Sequence, residues 1–95
     1  MKLQFAPAAK ADLFDIADYI ARDNPARAVS FVEELKAVCK RAATFPEAAP
    51  SRPEIGPGIR VLSYAAYLVL YRAGADALRI ERIVHGSRTL PDIIP

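Results

Sequence analysis

The second half of the chain carries the residues with the most evident chemistry, a set of arginines and a single histidine. All six basic residues between positions 51 and 95 are arginines, whereas every lysine lies in the first half. A planar guanidinium group suits carboxylate or phosphate and is less costly to desolvate than an ammonium group. The pattern indicates either an interface for an anionic partner or ordinary solvated charge. The arginines are Arg52, Arg60, Arg72, Arg79, Arg82 and Arg88.

The other candidate groups for chemistry have simpler structural explanations. His85 is the only histidine and could in principle act as an acid or a base, but its position favours a strand-end histidine that is hydrogen-bonded to backbone or lies at an interface. Asp12, Asp15 and Asp18 have no histidine companion and lie off the apolar stripe of a predicted helix, so we expect a solvated face and no metal site. Cys39 recurs at helical spacing, which predicts a core position. A lone cysteine favours a reducing, cytoplasmic compartment.

Most of the arginines fall on a predicted three-stranded antiparallel meander. Short runs rich in Val, Ile, Leu and Tyr cover residues 59–64, 67–73 and 78–85, with turn-forming residues between them. The middle run is apolar on both faces, as is typical of a central strand. Arg82 breaks the alternation of the third run, which places it either at the sheet margin or beside a β-bulge.

The first half predicts a short strand and a helical hairpin. A strand over residues 2–6 stops at Pro7, which suits the first turn of a helix over residues 8–22. Asn24 is a good N-cap for a second helix over residues 25–45. A stiff loop with four prolines follows over residues 46–57, and its length favours a functional role.

These elements predict one α+β domain over residues 1–95, in the order β-α-α-β-β-β. The helical hairpin is expected to pack on one face of a mainly antiparallel sheet, and the first strand to pair within the same sheet with an unassigned neighbour. The opposite sheet face is then expected to lie open and to need a partner. The apolar residues expected in part on that face are Tyr67, Val69, Tyr71 and Ile83.

Composition excludes several other classes of protein. The chain has 95 residues and a formal net charge of +2, too little to indicate a nucleic-acid-binding protein. No run approaches the roughly 20 apolar residues that span a bilayer. The N-terminal residues contain an early Asp and no long apolar segment, so they do not predict a signal peptide.

Four segments of the chain carry a resemblance to a known family. The first is Ala9-Lys10-Ala11-Asp12-Leu13, with Ile16 and Tyr19-Ile20 after it. Three more follow at residues 57–64, 67–72 and 78–88, and together the segments span essentially the whole chain. In this order and at this spacing, they resemble the ParE branch of the ParE/RelE toxin superfamily.

The resemblance implies the toxin of a bacterial type II toxin–antitoxin pair. Such a protein is silenced by a ParD-like antitoxin, acts on DNA gyrase when free, and is not a nuclease. Members similar to RelE instead cleave mRNA on the ribosome, which requires an acid, a base and cations around the phosphate. The low net charge and the lack of an aromatic residue after Tyr71 count against that alternative. An inactive adaptor that only binds antitoxin remains the third possibility.

Two sets of contact residues are expected for such a toxin. An acidic, amphipathic antitoxin tail is expected along the helical hairpin and the open sheet face. Its expected contacts are Leu13, Ile20, Arg60, Tyr64, Tyr67, Val69, Tyr71, Arg72 and Arg79. The resemblance also implies that the target is bound at the end of the last strand, through Arg82, His85 and Arg88. No catalytic residue, metal ligand, cofactor or direct sequence-specific contact to nucleic acid is expected.

Overall fold

The structure, a computed structural model, describes residues 1–87. Within this part, two helices and four strands follow one another in the predicted order, and each ends within one residue of the sequence-based prediction. The elements are β1 (Lys2–Phe5), α1 (Pro7–Ala21), α2 (Pro25–Thr44), β2 (Arg60–Tyr64), β3 (Tyr67–Ala73) and β4 (Ala77–His85).

The two helices form an antiparallel hairpin because the chain carries clear stop and start signals between them. The N–H groups of Asp23 and Asn24 both donate to the carbonyl of Ile20 and close α1. The side chain of Asn24 then accepts a hydrogen bond from the N–H of Arg27 at 3.0 Å, and Pro25 occupies the first helical position. This is the predicted N-cap, which satisfies one of the otherwise unpaired N–H groups of a helix start.

The sheet has the strand order β1-β4-β3-β2. Strands β2, β3 and β4 form the predicted antiparallel meander, and β1 pairs parallel to β4 from Lys2 opposite Ala77 to Phe5 opposite Ile80. The first strand therefore lies within the same sheet, as predicted, and its neighbour is β4. Because β1 pairs with β4 only up to Ile80, no strand within residues 1–87 lies beside the second half of β4 on that edge.

A β-bulge in β4 explains the irregular position of Arg82. Leu70 pairs with Arg82 and Tyr71 pairs with Ile80, so Glu81 is the additional residue of the bulged strand. One extra residue shifts the alternation of side chains between the two faces. The bulge that the sequence offered as one of two explanations is therefore confirmed.

The apolar residues predicted for the open sheet face instead form the core beneath the helices. Val69 and Tyr71 are fully buried and Ile83 is 2% exposed, and half-buried Tyr67 packs against the same cluster. The expected placement of these residues was wrong. Because β3 is apolar at every position of its first five residues, its sequence does not show which of its two faces meets the helices. Val69 and Tyr71 are consequently not accessible to a partner in this structure.

The face turned away from the helices is covered in part by the long loop before β2. Ile55 and Ile59 of this loop pack on Val61, Leu70 and Val84 and form a second, smaller core. The loop is also tied to the sheet by hydrogen bonds, including one from the N–H of Val61 in β2 to the carbonyl of Pro50 at 3.2 Å. The expectation of a sheet face left open for a partner was therefore wrong. The residues that cover this face, Ile55 and Ile59, lie in an irregular loop without a helical or strand period. Hydrophobic periodicity therefore could not predict that they pack on the sheet.

Candidate functional site

An open groove runs between α2 and the edge strand β2, and we call it the α2–β2 groove. Its volume is about 660 Å³, and its walls are mainly apolar. Phe45 at the end of α2 is 62% exposed at its margin, a high value for such a large apolar side chain. The residues that give the groove its character are Ala37, Val38, Arg41, Phe45, Leu62 and Ser63.

The strand that borders the α2–β2 groove has part of its backbone edge unpaired. The N–H of Val61 points away from β3 and donates to the carbonyl of Pro50 at 3.2 Å. Because the N–H groups of alternate residues in a strand point the same way, the N–H of Ser63 also points outward. Within residues 1–87 no backbone hydrogen bond uses it on that side. An exposed edge of this kind can accept an added strand.

A polar and aromatic cluster closes one end of the groove, and we call it the Glu34 cluster. The Tyr64 hydroxyl donates to the Glu34 carboxylate, which also forms an ion pair with Arg27. The guanidinium of Arg27 lies 5.1 Å from the ring centroid of Phe31, and the Phe31 ring lies 5.8 Å from that of Tyr64. The hydrogen bond from Arg27, followed by that from Tyr64, lowers the pKa of Glu34. The same carboxylate raises the pKa of the Tyr64 hydroxyl. Near neutral pH the Glu34 carboxylate is therefore charged and the Tyr64 hydroxyl is protonated.

His85 has local hydrogen bonds of the kind expected for a structural histidine at a strand end. Its Nδ1 accepts a hydrogen bond from the N–H of Ser87 at 3.2 Å and lies 2.9 Å from the Ser87 hydroxyl. The ring stands edge-on to Tyr67, with centroids 5.6 Å apart. An Nδ1 that accepts from a backbone N–H leaves the ring proton on Nε2. Within residues 1–87 the imidazole makes no hydrogen bond to a carboxylate that could support acid–base chemistry.

Two of the predicted arginines share one carboxylate on the far side of the sheet. Arg72 and Arg79 lie opposite each other on β3 and β4, and Glu81 binds both, at 2.6 Å and 2.8 Å. Arg72 also donates to the carbonyl of Pro57 at 2.8 Å. A carboxylate of a partner would therefore have to compete with Glu81. Arg60 has a separate role, because it donates to the carbonyl of Ala49 at 2.6 Å and holds the long loop.

Arg82 is held at the edge of the sheet by α1. Asp12 accepts hydrogen bonds from Arg82 Nε at 2.7 Å, from Arg82 Nη2 at 2.9 Å, and from the N–H of Ile83 at 2.9 Å. The side chains of Asp12 and Arg82 are only 12% and 21% exposed. The hydrogen bond that Arg82 donates to Asp12 raises the pKa of Arg82. The prediction that Asp12 belongs to a solvated face was wrong. Asp15 and Asp18 are exposed as predicted, and Asp18 pairs with Arg22 at 3.4 Å.

The predicted contact residues thus divide among several places. Tyr64 lines the α2–β2 groove, whereas Tyr67 packs against the core with its ring 5.6 Å from that of Phe31. Leu13 and Ile20 are half-buried between α1 and the core, which leaves part of each side chain accessible. Arg88 lies outside the described residues. Sequence reasoning missed Glu34, Arg27 and Phe45. The Tyr64 partner of Glu34 lies 30 positions away and leaves no local signal. Arg27 lies seven positions before Glu34 on the same helix, and that two-turn spacing of opposite charges was a signal that could have been used.

Other kinds of site find no support in the part of the chain that the structure describes. Within residues 1–87, no group of three or more His, Cys, Asp or Glu side chains is placed to hold a metal ion. Neither helix in that part is long and apolar enough to cross a membrane. The one cysteine, Cys39, is fully buried as predicted, and burial raises its thiol pKa to about 11.

The fold and the groove are those of a small α+β binding protein, and comparisons identify its family. The family model described as "ParE toxin of type II toxin-antitoxin system, parDE" matches residues 3–90. The chain therefore belongs to the ParE toxin family, as the sequence segments predicted. It is also similar to a solved structure titled "Chromosomal ParDE TA system from P. aeruginosa", with 26% identity and a TM-score of 0.75 over 90% of this chain and 95% of the other. No curated protein sequence matches it.

Proposed function

We propose that this chain is a toxin that a ParD-like antitoxin neutralises and that, when free, inhibits DNA gyrase. Membership of the ParE family and the similarity to a ParDE system support the pairing with an antitoxin of that kind. The observation that carries the proposal is the α2–β2 groove, which combines an apolar floor with an unpaired strand edge. A binding surface of this form suits a protein that acts by association.

The antitoxin segment binds the α2–β2 groove in extended form at β2. Its backbone pairs with the outward N–H of Ser63, and its apolar side chains enter the space between Val38 and Leu62. The acidic residues expected of an antitoxin tail reach Arg41, which is exposed at the groove. A disordered tail would order as it binds, which allows it to cover a large surface.

The pair of arginines around Glu81 forms the second part of the antitoxin surface. Arg79 is half exposed and Arg72 about one third exposed, so a partner carboxylate can replace Glu81 on either of them. We expect Arg72→Ala or Arg79→Ala to weaken antitoxin binding by at least ~1 kcal/mol in calorimetry, the low end for a hydrogen bond to a charged group. If neither variant loses that much, the antitoxin does not reach this side of the sheet.

A pair of exposed phenylalanines tests the α2–β2 groove directly. Phe45 lies at the groove and is 62% exposed, whereas Phe14 on α1 is 78% exposed and lies elsewhere. We expect Phe45→Ser to weaken antitoxin binding roughly 10-fold or more, because an apolar contact is lost, and Phe14→Ser to leave it unchanged. Calorimetry with the antitoxin measures both, and urea unfolding checks that both variants are folded. Equal affinities for the two variants would place the antitoxin outside the groove.

The target is bound at the end of β4 and in the residues after it. His85 is exposed there and contributes a contact, while Arg82 is engaged by Asp12 and keeps the strand end in position. Arg88 follows within three residues and supplies a further cationic contact for an acidic or phosphate-bearing surface. We expect Arg88→Ala to reduce toxicity in cells while antitoxin affinity stays the same. Loss of both properties, or of neither, would exclude this role.

Expression without antitoxin separates the gyrase proposal from the alternatives. We expect growth arrest in cells that express the chain alone. The purified chain should inhibit DNA supercoiling by gyrase and should not cleave mRNA in a translating extract. Cleavage that disappears in His85→Gln would replace the proposal with a ribosome-dependent nuclease, because His85 is the only histidine able to act as acid or base. Absence of any phenotype would leave an inactive antitoxin-binding adaptor.

A further inference from the structure

Two neighbouring side chains at the end of the sheet each present a hydrogen-bond donor, and we call them the Tyr67–His85 pair. Tyr67 on β3 lies directly opposite His85 on β4 in the antiparallel register, so both side chains project from the same face of the sheet. Their rings meet edge to face, with centroids 5.6 Å apart. The N–H of Gly86 donates to the carbonyl of Ala66 at 2.8 Å, and this hydrogen bond joins the two backbones beside the pair.

The ring of Tyr67 is held in place while its hydroxyl remains available. The ring packs on Phe31 of α2, with centroids 5.6 Å apart, in addition to its contact with His85. Within residues 1–87 the hydroxyl forms no hydrogen bond, whereas those of Tyr64 and Tyr71 both donate to acceptors of the chain. Every buried side-chain N or O atom in this part of the chain has a hydrogen-bond partner, so the Tyr67 hydroxyl is in contact with solvent. A tyrosine fixed in this way loses little conformational entropy when a partner binds.

His85 supplies the second donor. Its Nδ1 accepts a hydrogen bond from the N–H of Ser87 at 3.2 Å, which leaves the ring proton on Nε2. The residue is exposed, and Nε2 has no hydrogen-bond acceptor within residues 1–87. The pair therefore offers an O–H and an N–H group to solvent at one place on the surface.

We propose that the Tyr67–His85 pair binds a carboxylate of the target protein, with the Tyr67 hydroxyl and the His85 Nε2–H each donating a hydrogen bond to it. A carboxylate has two oxygens that accept, and a hydrogen bond to a charged acceptor is stronger than one between neutral groups. The inference rests on the proposed function, because His85 lies on the surface assigned there to the target. It adds Tyr67 to that surface and specifies the group that both side chains recognise.

The charges around the pair favour a single carboxylate over the phosphates of DNA. A DNA backbone presents a row of phosphates, and proteins bind it by neutralising several of them with Lys and Arg. Arg27, which lies over the Phe31 ring, is paired with Glu34, and Arg82 is paired with Asp12. These flanking arginines already have carboxylate partners, whereas one carboxylate at an exposed surface can be bound by the two neutral donors.

The pair is separate from the proposed antitoxin site. Neither Tyr67 nor His85 lines the α2–β2 groove. The sequence led us to expect Tyr67 among the antitoxin contacts, and we assign it to the target instead because it lies beside His85. Loss of its hydroxyl should therefore reduce the toxic effect and leave antitoxin affinity the same.

Removal of one hydroxyl tests the pair. Tyr67→Phe keeps the ring contacts and should raise the concentration of purified chain that half-inhibits gyrase roughly 10-fold, as expected for the loss of a hydrogen bond to a charged group. Urea unfolding and calorimetry with the antitoxin should show unchanged stability and affinity, whereas a hydroxyl that only stabilised the fold would change the stability. Tyr19→Phe is the matched control, because Tyr19 is 67% exposed on α1 and has no ring contact within residues 1–87. It should behave as the native chain in all three measurements.

Two variants of His85 test the second donor. His85→Ala should weaken gyrase inhibition roughly 10-fold, and His85→Gln should stay within roughly 3-fold of the native chain, because its amide N–H can donate in place of Nε2–H. The chain should also bind gyrase in the absence of DNA, with the same order of affinities among these variants. Binding that requires DNA would overturn the carboxylate and point to phosphate.

The result for Tyr67→Phe decides between the proposal and its alternatives. Inhibition equal to that of the native chain, or an equal loss of antitoxin affinity, would overturn the proposal. A native chain without effect on gyrase would contradict the proposed function, and growth arrest in cells, which does not depend on the identity of the target, then decides on the pair. Weaker arrest by Tyr67→Phe at matched expression would support the pair. Equal arrest by the two chains, or no arrest by either, would overturn it.

Discussion

Asp12 shows how one side-chain carboxylate can accept a backbone hydrogen bond at a sheet edge where the neighbouring strand β1 has ended. β1 ends its pairing at Ile80, and beyond that point Asp12 accepts the N–H of Ile83 and two hydrogen bonds from Arg82. The carboxylate thereby covers an edge that would otherwise be open to another chain. It also ties α1 to the end of β4, the region proposed to contact the target.

Replacement of Asp12 should be costly because it leaves partly buried donors without partners. We expect Asp12→Ala to lower the free energy of unfolding by about 2 kcal/mol, the scale of lost hydrogen bonds to a charged group. Asp12→Asn should lose less, since its amide oxygen still accepts from Ile83. Urea unfolding measures the difference, with Asp15→Ala as the control, because Asp15 is exposed on the same helix. A change below ~0.5 kcal/mol in Asp12→Ala, the usual range for surface sites, would contradict this role.

Single residues were the level at which the sequence was least informative. The partner of Asp12 lies 70 positions away and that of Tyr64 lies 30 positions away, so neither pair produces a local pattern. The capping role of Asn24 and the burial of Cys39 were predictable because each depends on neighbours within one or two helical turns. Contacts that depend on which face of the sheet meets the helices can be identified only from the folded structure.

At the scale of elements, periodicity predicted every helix and strand within residues 1–87. It did not predict which face of β3 packs against the helices. The helices follow from apolar residues at 3.6-residue intervals and the strands from short β-branched and aromatic runs. The β3 sequence Tyr67-Leu68-Val69-Leu70-Tyr71 is apolar at every position, and both its faces are in fact covered. The second cover is a loop that holds Ile55 and Ile59, and loops have no period from which to predict their packing.

The β2–β3 turn offers a test at this scale. Ala65 has a φ of 51°, a left-handed conformation that costs an L-residue about 1–2 kcal/mol, and glycine avoids that cost. Because glycine also loses more backbone entropy on folding, we expect Ala65→Gly to raise the free energy of unfolding by a net ~0.5 kcal/mol. Ala66→Gly is the matched control and should be destabilising, since Ala66 has no positive φ. Urea unfolding of the two variants decides it, and the same sign of change in both would rule out strain at Ala65.

At the scale of the whole molecule, α2 lies between two apolar grooves. The α2–β2 groove lies on one side of the helix and a second groove, between α1 and α2, lies on the other. Their lining residues do not overlap, so a partner bound in one groove leaves the residues of the other uncovered.

Stability of the whole chain should fall at high pH because of acidic groups that the core keeps protonated. Burial raises the pKa of Cys39 from 9.0 to about 11, and burial also raises the pKa of Tyr71. A folded-state pKa above the unfolded value gives stability that is complete below pH 9 and is lost as the pH rises toward 11, with a slope that approaches ~1.4 kcal/mol per pH unit for one group. We therefore expect the free energy of unfolding to decline over this range.

Cys39→Ala separates the thiol from the other groups in that decline. The variant is less stable at neutral pH because of the small cavity, but its stability should fall less steeply between pH 9 and about 11, since only the tyrosine contribution remains. Urea unfolding of both proteins at several pH values gives the two slopes, and the native thiol should resist labelling until the chain unfolds. Parallel slopes, or rapid labelling of the folded protein, would show that the Cys39 thiol is not held in its protonated form by the core.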